Sequence, residues 1–259
     1  MTDLKKRLQE TARKASEVDT NDLRVAKASA EKHVWPAGHY RGRVAEVVEF
    51  GVQPQEYEKQ TRPPAEEVQL RIVLFPNQLV KKEFGSDVQP LYIREWPMAI
   101  KNDARAKSKI AFDLMNVDGT AKHFREFIGE AYRFKVEVHE KGGKRFNKIN
   151  LGATLPAVDD ETGKPLPVPE VPEDRLVLFT FVNPMKEMWD KLYIEGTRPD
   201  GTSKNYRQEK IINALNFKGS DVEAMLKGGS AKPVIPDVVG DPDSDGFDDL
   251  PEPPTDDDY

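Results

Sequence analysis

Between positions 40 and 151 apolar side chains recur at every second residue, in short runs cut by turn residues. Residues 40–50 predict a first strand that Gly51 ends, and residues 67–75 a second, with Val68, Leu70, Ile72 and Leu74 on one face and Pro76 as its stop. The intervening GVQPQEYEKQTRPPA is polar and proline-rich and predicts a loop. Residues 89–96 predict a third strand closed by Pro97, followed by a basic helical stretch, MAIKNDARAKSKIAF. Residues 120–129 predict a short helix ending on glycine. Residues 132–139 alternate strictly, with Phe134, Val136 and Val138 inward; Gly142-Gly143 marks a hairpin, and residues 145–151 return as the fifth strand.

Three strands, a helix and a two-strand hairpin predict a mainly β fold with added helices. The specific expectation is a five-stranded OB-fold barrel (oligonucleotide/oligosaccharide-binding) over residues 37–155. The alternative is an unrelated α+β sandwich. Residues 1–36 read as a charged arm or helix with a thin apolar stripe (Leu4, Leu8, Ala12, Ala15, Val18) and a basic first half (Lys5, Lys6, Arg7, Arg13, Lys14), a candidate for self-association as a homodimer or for DNA contact. Prolines 156, 165, 167, 169 and 172 make residues 156–172 a linker. Residues 173–229 predict a small α/β extension. It comprises a buried strand over 176–182, a helix over 185–193 anchored by Trp189, a helix that Ser203 caps and that runs through 215, and a last helix boxed by Ser220 and Glu223. Residues 230–259 predict a disordered acidic tail.

Charge sharpens this division. The chain holds 45 acids and 39 bases, and residues 237–259 contribute ten of the acids and no base. The body without them is about +4, 39 bases against 35 acids. A basic body with an acidic tail predicts a polyanion binder carrying a competitor for its own surface. The lack of cysteine excludes disulfides and cysteine–zinc sites and fits a reducing cytoplasm. No apolar run has membrane-spanning length, and MTDLKKRLQE lacks the apolar core of an export signal.

Three clusters carry candidate chemistry. On the third strand Tyr92, Arg94 and Trp96 share a face opposite Leu91 and Ile93, an aromatic–cationic pattern suited to stacking bases and meeting phosphates. On the predicted hairpin Lys141, Lys144, Arg145 and Lys148 surround Phe146, and Lys101, Arg105, Lys107 and Lys109 form a third basic group. Arg41 and Arg43, two apart on the first strand, and Arg71 on the second complete the nucleic-acid set. Catalytic and cofactor readings find no support: there is no GxxxxGK[ST] loop, no GxSxG elbow and no helical metal spacing among His33, His39, His123 and His139. Asp159, Asp160 and Glu161 read as loop acids. Asp241, Asp243, Asp245, Gly246 and Glu252 match a calcium-loop spacing, but Pro233, Pro236, Pro242, Pro251, Pro253 and Pro254 deny it flanking helices, so no metal is expected.

With its predicted barrel, its tail DDLPEPPTDDDY, and the phrases NPMKEMWDKLYIEG and SKNYRQEKIINALNFKGS, the chain resembles single-stranded-DNA-binding proteins of tailed bacteriophages. The resemblance implies a non-enzymatic protein that coats single strands in DNA replication, recombination and repair. It implies a tail, with Asp256, Asp257, Asp258 and the terminal aromatic Tyr259, that recruits partners such as a polymerase and a helicase–primase. The rival readings are a phage accessory protein whose tail mimics nucleic acid and a metal-dependent nuclease.

Overall fold

The computed structural model describes residues 33–198 and 201–228. The described residues from Val34 onward belong to one unit. At its centre two long strands, β1 (Gly38–Tyr57) and β2 (Gln60–Leu74), run antiparallel from Gly42↔Leu74 to Tyr57↔Gln60. The loop expected over residues 51–65 is therefore a two-stranded ribbon. Its turn is formed by Glu58 and Lys59, both at positive φ (49° and 61°), the geometry of a primed hairpin turn without the Gly or Asn that usually signals one. Its prolines fit because the ladder shifts register there: Pro63 and Pro64 lie opposite Pro54 alone, between Gln53↔Ala65 and Gln55↔Arg62. Gly51 does not end β1. It takes φ +72° where a Cβ would come within 2.5 Å of the Phe181 ring and of Asn216 Oδ1.

The sheet order is β3 (Leu91–Arg94), β2, β1, β5 (Ala131–Lys141) and β6 (Lys144–Pro156), with β4 (Met98–Ala99) on β2 and β7 (Val177–Phe179) parallel to β1. One edge of β1 is used twice, by β5 along Gly38–Arg43 and by β7 along Glu46–Val48. The inner face packs Tyr40, Val44, Val47, Leu70, Ile72, Phe134 and Ile149 with α1 (Gln78–Phe84), α2 (Lys107–Met115) and a single 3-10 turn, Phe124–Phe127. Of the helix expected over MAIKNDARAKSKIAF only α2 is helical, because Met98 and Ala99 pair with β2 instead.

The sheet is open, and the expected closed barrel is not formed. Pro90 and Pro97 bracket β3 and leave it four residues long, too short to build a second ladder. Among the described residues no ladder joins β3 to β6; the buried Glu95 carboxylate bridges them, accepting the Ile149 N–H at 3.1 Å. Burial drives Glu95 up to about 7, against the opposing pulls of that N–H and of Lys148. The folded chain thus holds this proton more tightly than the unfolded chain, whose ordinary value is 4.5. Stability then falls as pH rises from the unfolded value to about 7 and stays lower above it. Glu95→Gln keeps the acceptor and removes the charge. Denaturant unfolding should find the variant more stable than the parent at about pH 8, by up to about 3 kcal/mol, and no more stable at about pH 4.

The outer face of β1, beyond Glu46, is covered by the C-terminal extension. Val48 and Phe50 pack with Val177 and Phe179 of β7, Trp189 of α3 (Lys186–Lys191), Leu192, Ile211 of α4 (Tyr206–Ile212) and Val222 of α5 (Asp221–Gly228). Ser220 caps α5 as expected, accepting the Glu223 N–H, while Glu223 reaches back to the N–H of Gly219. The proline-rich segment is held against the sheet rather than left as a bare linker. Val168 and Val171 are buried, Arg41 donates to the Pro167 carbonyl, and Arg43 donates to the carbonyls of Val168, Pro169 and Gly129 and to Glu170.

Candidate nucleic-acid interface

Alternation sends Gln69 and Arg71 of β2 and Tyr92 and Arg94 of β3 to the outer face, where the sequence reading placed base stacking. The extension covers that region. Gln69 and Arg71 are buried, and Tyr92 packs with Val73, Val171 and Leu176 while the Arg71 guanidinium lies 4.6 Å from its ring centroid. Arg94 Nε donates to Glu46 Oε1 at 3.3 Å, and Arg207 of α4 donates to the same oxygen. Burial alone would raise the Glu46 carboxyl, but Arg207, Arg94 and Arg71 outweigh it and hold it at about 2. Arg207 in turn is lowered by its own burial, against the opposing attraction of Glu46. At the margin of the cover, Lys210 reaches Glu67 at 2.7 Å. Trp96 is half-buried.

Magnitudes decide whether such a cover can lift. Phe179, Trp189, Leu192, Ile211 and Val222 are all buried in it. At about 2 kcal/mol per large apolar side chain their burial is worth on the order of 10 kcal/mol, comparable to the whole stability of a domain. The cover is a fixed part of the fold, and Tyr92, Arg71 and Arg94 serve it.

On the other side of the sheet, among the described residues, the outer face of β5 and β6 carries exposed and half-buried side chains. Cross-strand partners share a face, so the register places Lys135, Glu137, His139 and Lys141 of β5 with Asn150, Lys148, Phe146 and Lys144 of β6. The same face continues through Arg133 to Arg41 and His39 of β1. Among the described residues the strands bring six cations to it (Arg41, Arg133, Lys135, Lys141, Lys144 and Lys148) with one strand carboxylate, Glu137; of these, Arg41 donates to the Pro167 carbonyl and Arg133 to the Pro156 carbonyl. Asp160 approaches from a loop and pairs with Arg133 at 2.6 Å. In their midst the His139 and Phe146 rings stack, centroids 5.9 Å apart at 29°.

Lys141, Lys144, Phe146 and Lys148 of the predicted set thus come together, whereas Arg145 pairs with Glu140 on the opposite face. Lys101, Arg105, Lys107 and Lys109 lie on the approach to α2 and in it; there Arg105 faces Asp103 at 3.7 Å and Lys109 pairs with Asp113 at 2.5 Å. Arg43 is committed to the proline-rich segment. Sequence reasoning missed Lys135, His139, Arg133 and Asn150, although the alternation of residues 132–139 already turned Lys135 and His139 outward.

Asp256, Asp257, Asp258 and Tyr259, the calcium-like spacing from Asp241 to Glu252, and the basic arm before His33 lie outside the described residues. Among the described residues no group of His, Asp and Glu is arranged to hold a metal ion, and no helix is long and apolar enough to cross a membrane. Comparison with protein families, curated proteins and solved structures finds no match to the chain.

Proposed function

We propose that the protein binds single-stranded DNA, with little regard to sequence, on the open outer face of β1, β5 and β6. The observation that carries this reading is the stacked His139–Phe146 pair inside a frame of lysines. Rings offer a platform for any base, worth about 1–3 kcal/mol each, and lysines release counterions from the strand. The strand order β3-β2-β1-β5-β6 agrees with an OB-type barrel left open along one seam, a second support for the reading. Within it the acidic tail competes for the lysine face and, once displaced, recruits replication partners, and the protein acts as a non-enzymatic coat in phage DNA replication, recombination and repair in the host cytoplasm.

Phe146→Ala and Tyr92→Ala test the location in one anisotropy titration with labelled oligo-dT. Phe146→Ala should weaken binding by about 1–3 kcal/mol. Tyr92→Ala should lower the melting temperature yet leave the affinity of the folded protein unchanged. The reverse pattern moves the site beneath the extension and refutes this assignment.

A second reading, a protein-interaction module, is favoured by the exposed apolar side chains of the extension, Val182, Met185, Ile212 and Leu215. It predicts no oligonucleotide binding at all.

A further inference from the structure

The open face holds one group that a pure phosphate-binding surface has no use for, the carboxylate of Glu137. It stands across the ladder from Lys148 and two residues from Lys135, where it repels the phosphates the lysines attract. It is also fixed. Glu137 Oε1 accepts from Asn150 Nδ2 at 2.9 Å, and Oε2 faces His139 Nε2 at 3.4 Å. The Asn150 bond first, and then His139 and Lys135, hold its carboxyl below the ordinary value despite partial burial, so it is ionised at neutral pH. Its side chain keeps 38% exposure and is open to a ligand.

We propose that Glu137 and Asn150 give the face a base preference, favouring bases that carry an exocyclic amine, cytosine or adenine, over thymine. The proposal rests on the single-strand reading above. The Asn150 amide donates to Glu137 Oε1 and leaves the remaining carboxylate lone pairs of Glu137 as acceptors. His139 and Phe146 lie one cross-strand step beyond Glu137, about 6.6 Å from it by strand rise. A base stacked on those rings brings its hydrogen-bonding edge toward the acceptors. Cytosine N4 and adenine N6 donate there, whereas thymine O4 is itself an acceptor and is repelled. The lysines thus hold any strand, and Glu137 ranks the bases on it.

Anisotropy titrations of the full chain with oligo-dC and oligo-dT of equal length test this. The parent should bind oligo-dC more tightly, by about fivefold or more, the lower end of what one well-placed base contact discriminates. Glu137→Gln, which keeps the size and restores a donor, should abolish the difference. So should Asn150→Ala, which frees the carboxylate from its fixed position. Lys148→Ala should weaken both oligonucleotides alike. Equal affinities in the parent, or a preference that survives Glu137→Gln, would overturn the proposal. Failure of the parent to bind either oligonucleotide would refute the single-strand reading itself, and the two failures are told apart by that binding.

Discussion

Replacing Lys141, Lys144 and Lys148 together by alanine should weaken oligo-dT binding by about a hundredfold at about 50 mM salt and flatten its salt dependence. Each lysine that meets a phosphate releases about 0.7 of a counterion from a single strand, so the slope of log K against log salt should fall by about 2. The side chains are at or beside a hairpin whose turn, Gly142-Gly143, is exposed, so the fold should tolerate their loss. Phe146→Ala supplies the contrast: it removes a ring and no charge, so it should lower affinity at every salt concentration and leave the slope unchanged. Melting curves of both variants separate binding from folding. A triple variant with an unaltered slope would place the phosphates elsewhere.

The second large effect concerns Glu46. It is the acceptor on which Arg94 and Arg207 converge, and Glu46 and Arg207 are each only 2% exposed. Glu46→Ala leaves Arg207 buried without its counter-charge, a change that costs about 3–5 kcal/mol and a large share of a typical domain's stability. The pH profile carries the same information. The Glu46 carboxyl is depressed from 4.5 to about 2 in the folded chain, so its contribution is fully present above the unfolded value and is lost as pH falls through about 2. The variant should melt far lower at neutral pH and lose part of the parent's acid-induced destabilisation. A Glu46→Ala protein as stable as the parent would mean that the extension is held by its apolar contacts alone.

These two sites show where the sequence was legible. The inward positions of β1, β2, β5 and β6 follow from period-two spacing, and Gly142-Gly143 announces the β5–β6 hairpin. The ribbon was invisible because Glu58 and Lys59 take left-handed backbone without glycine or asparagine, and because Pro54, Pro63 and Pro64 suggest a loop unless a bulge receives them. The site was half legible. Lys141, Lys144, Phe146 and Lys148 stand out as a basic hairpin with one ring. Tyr92, Arg94 and Arg71 look equally exposed from their alternation, yet residues more than 70 positions downstream cover them, a contact that no local pattern encodes. An outward polar residue on a strand is outward from one core only; here a second layer turns Gln69, Arg71 and Glu46 into interior groups.

The two layers divide the labour of the sheet. One half of the outer face is closed by apolar packing around the Glu46 cluster and gives rigidity. The other half, among the described residues, is cationic and ring-bearing, and it is the part proposed to meet a strand. The extension and the proposed binding face thus share one sheet surface, set side by side along β1.

Fluorescence anisotropy with labelled oligo-dT and a matched duplex, each with and without magnesium over a salt series, separates single-strand binding from its rivals. A single-strand coat should show saturable binding of oligo-dT, much weaker binding of the duplex, a steep inverse salt dependence and no effect of magnesium on strand length. No binding of oligo-dT, equal binding of the duplex, or magnesium-dependent shortening of the strand would contradict it.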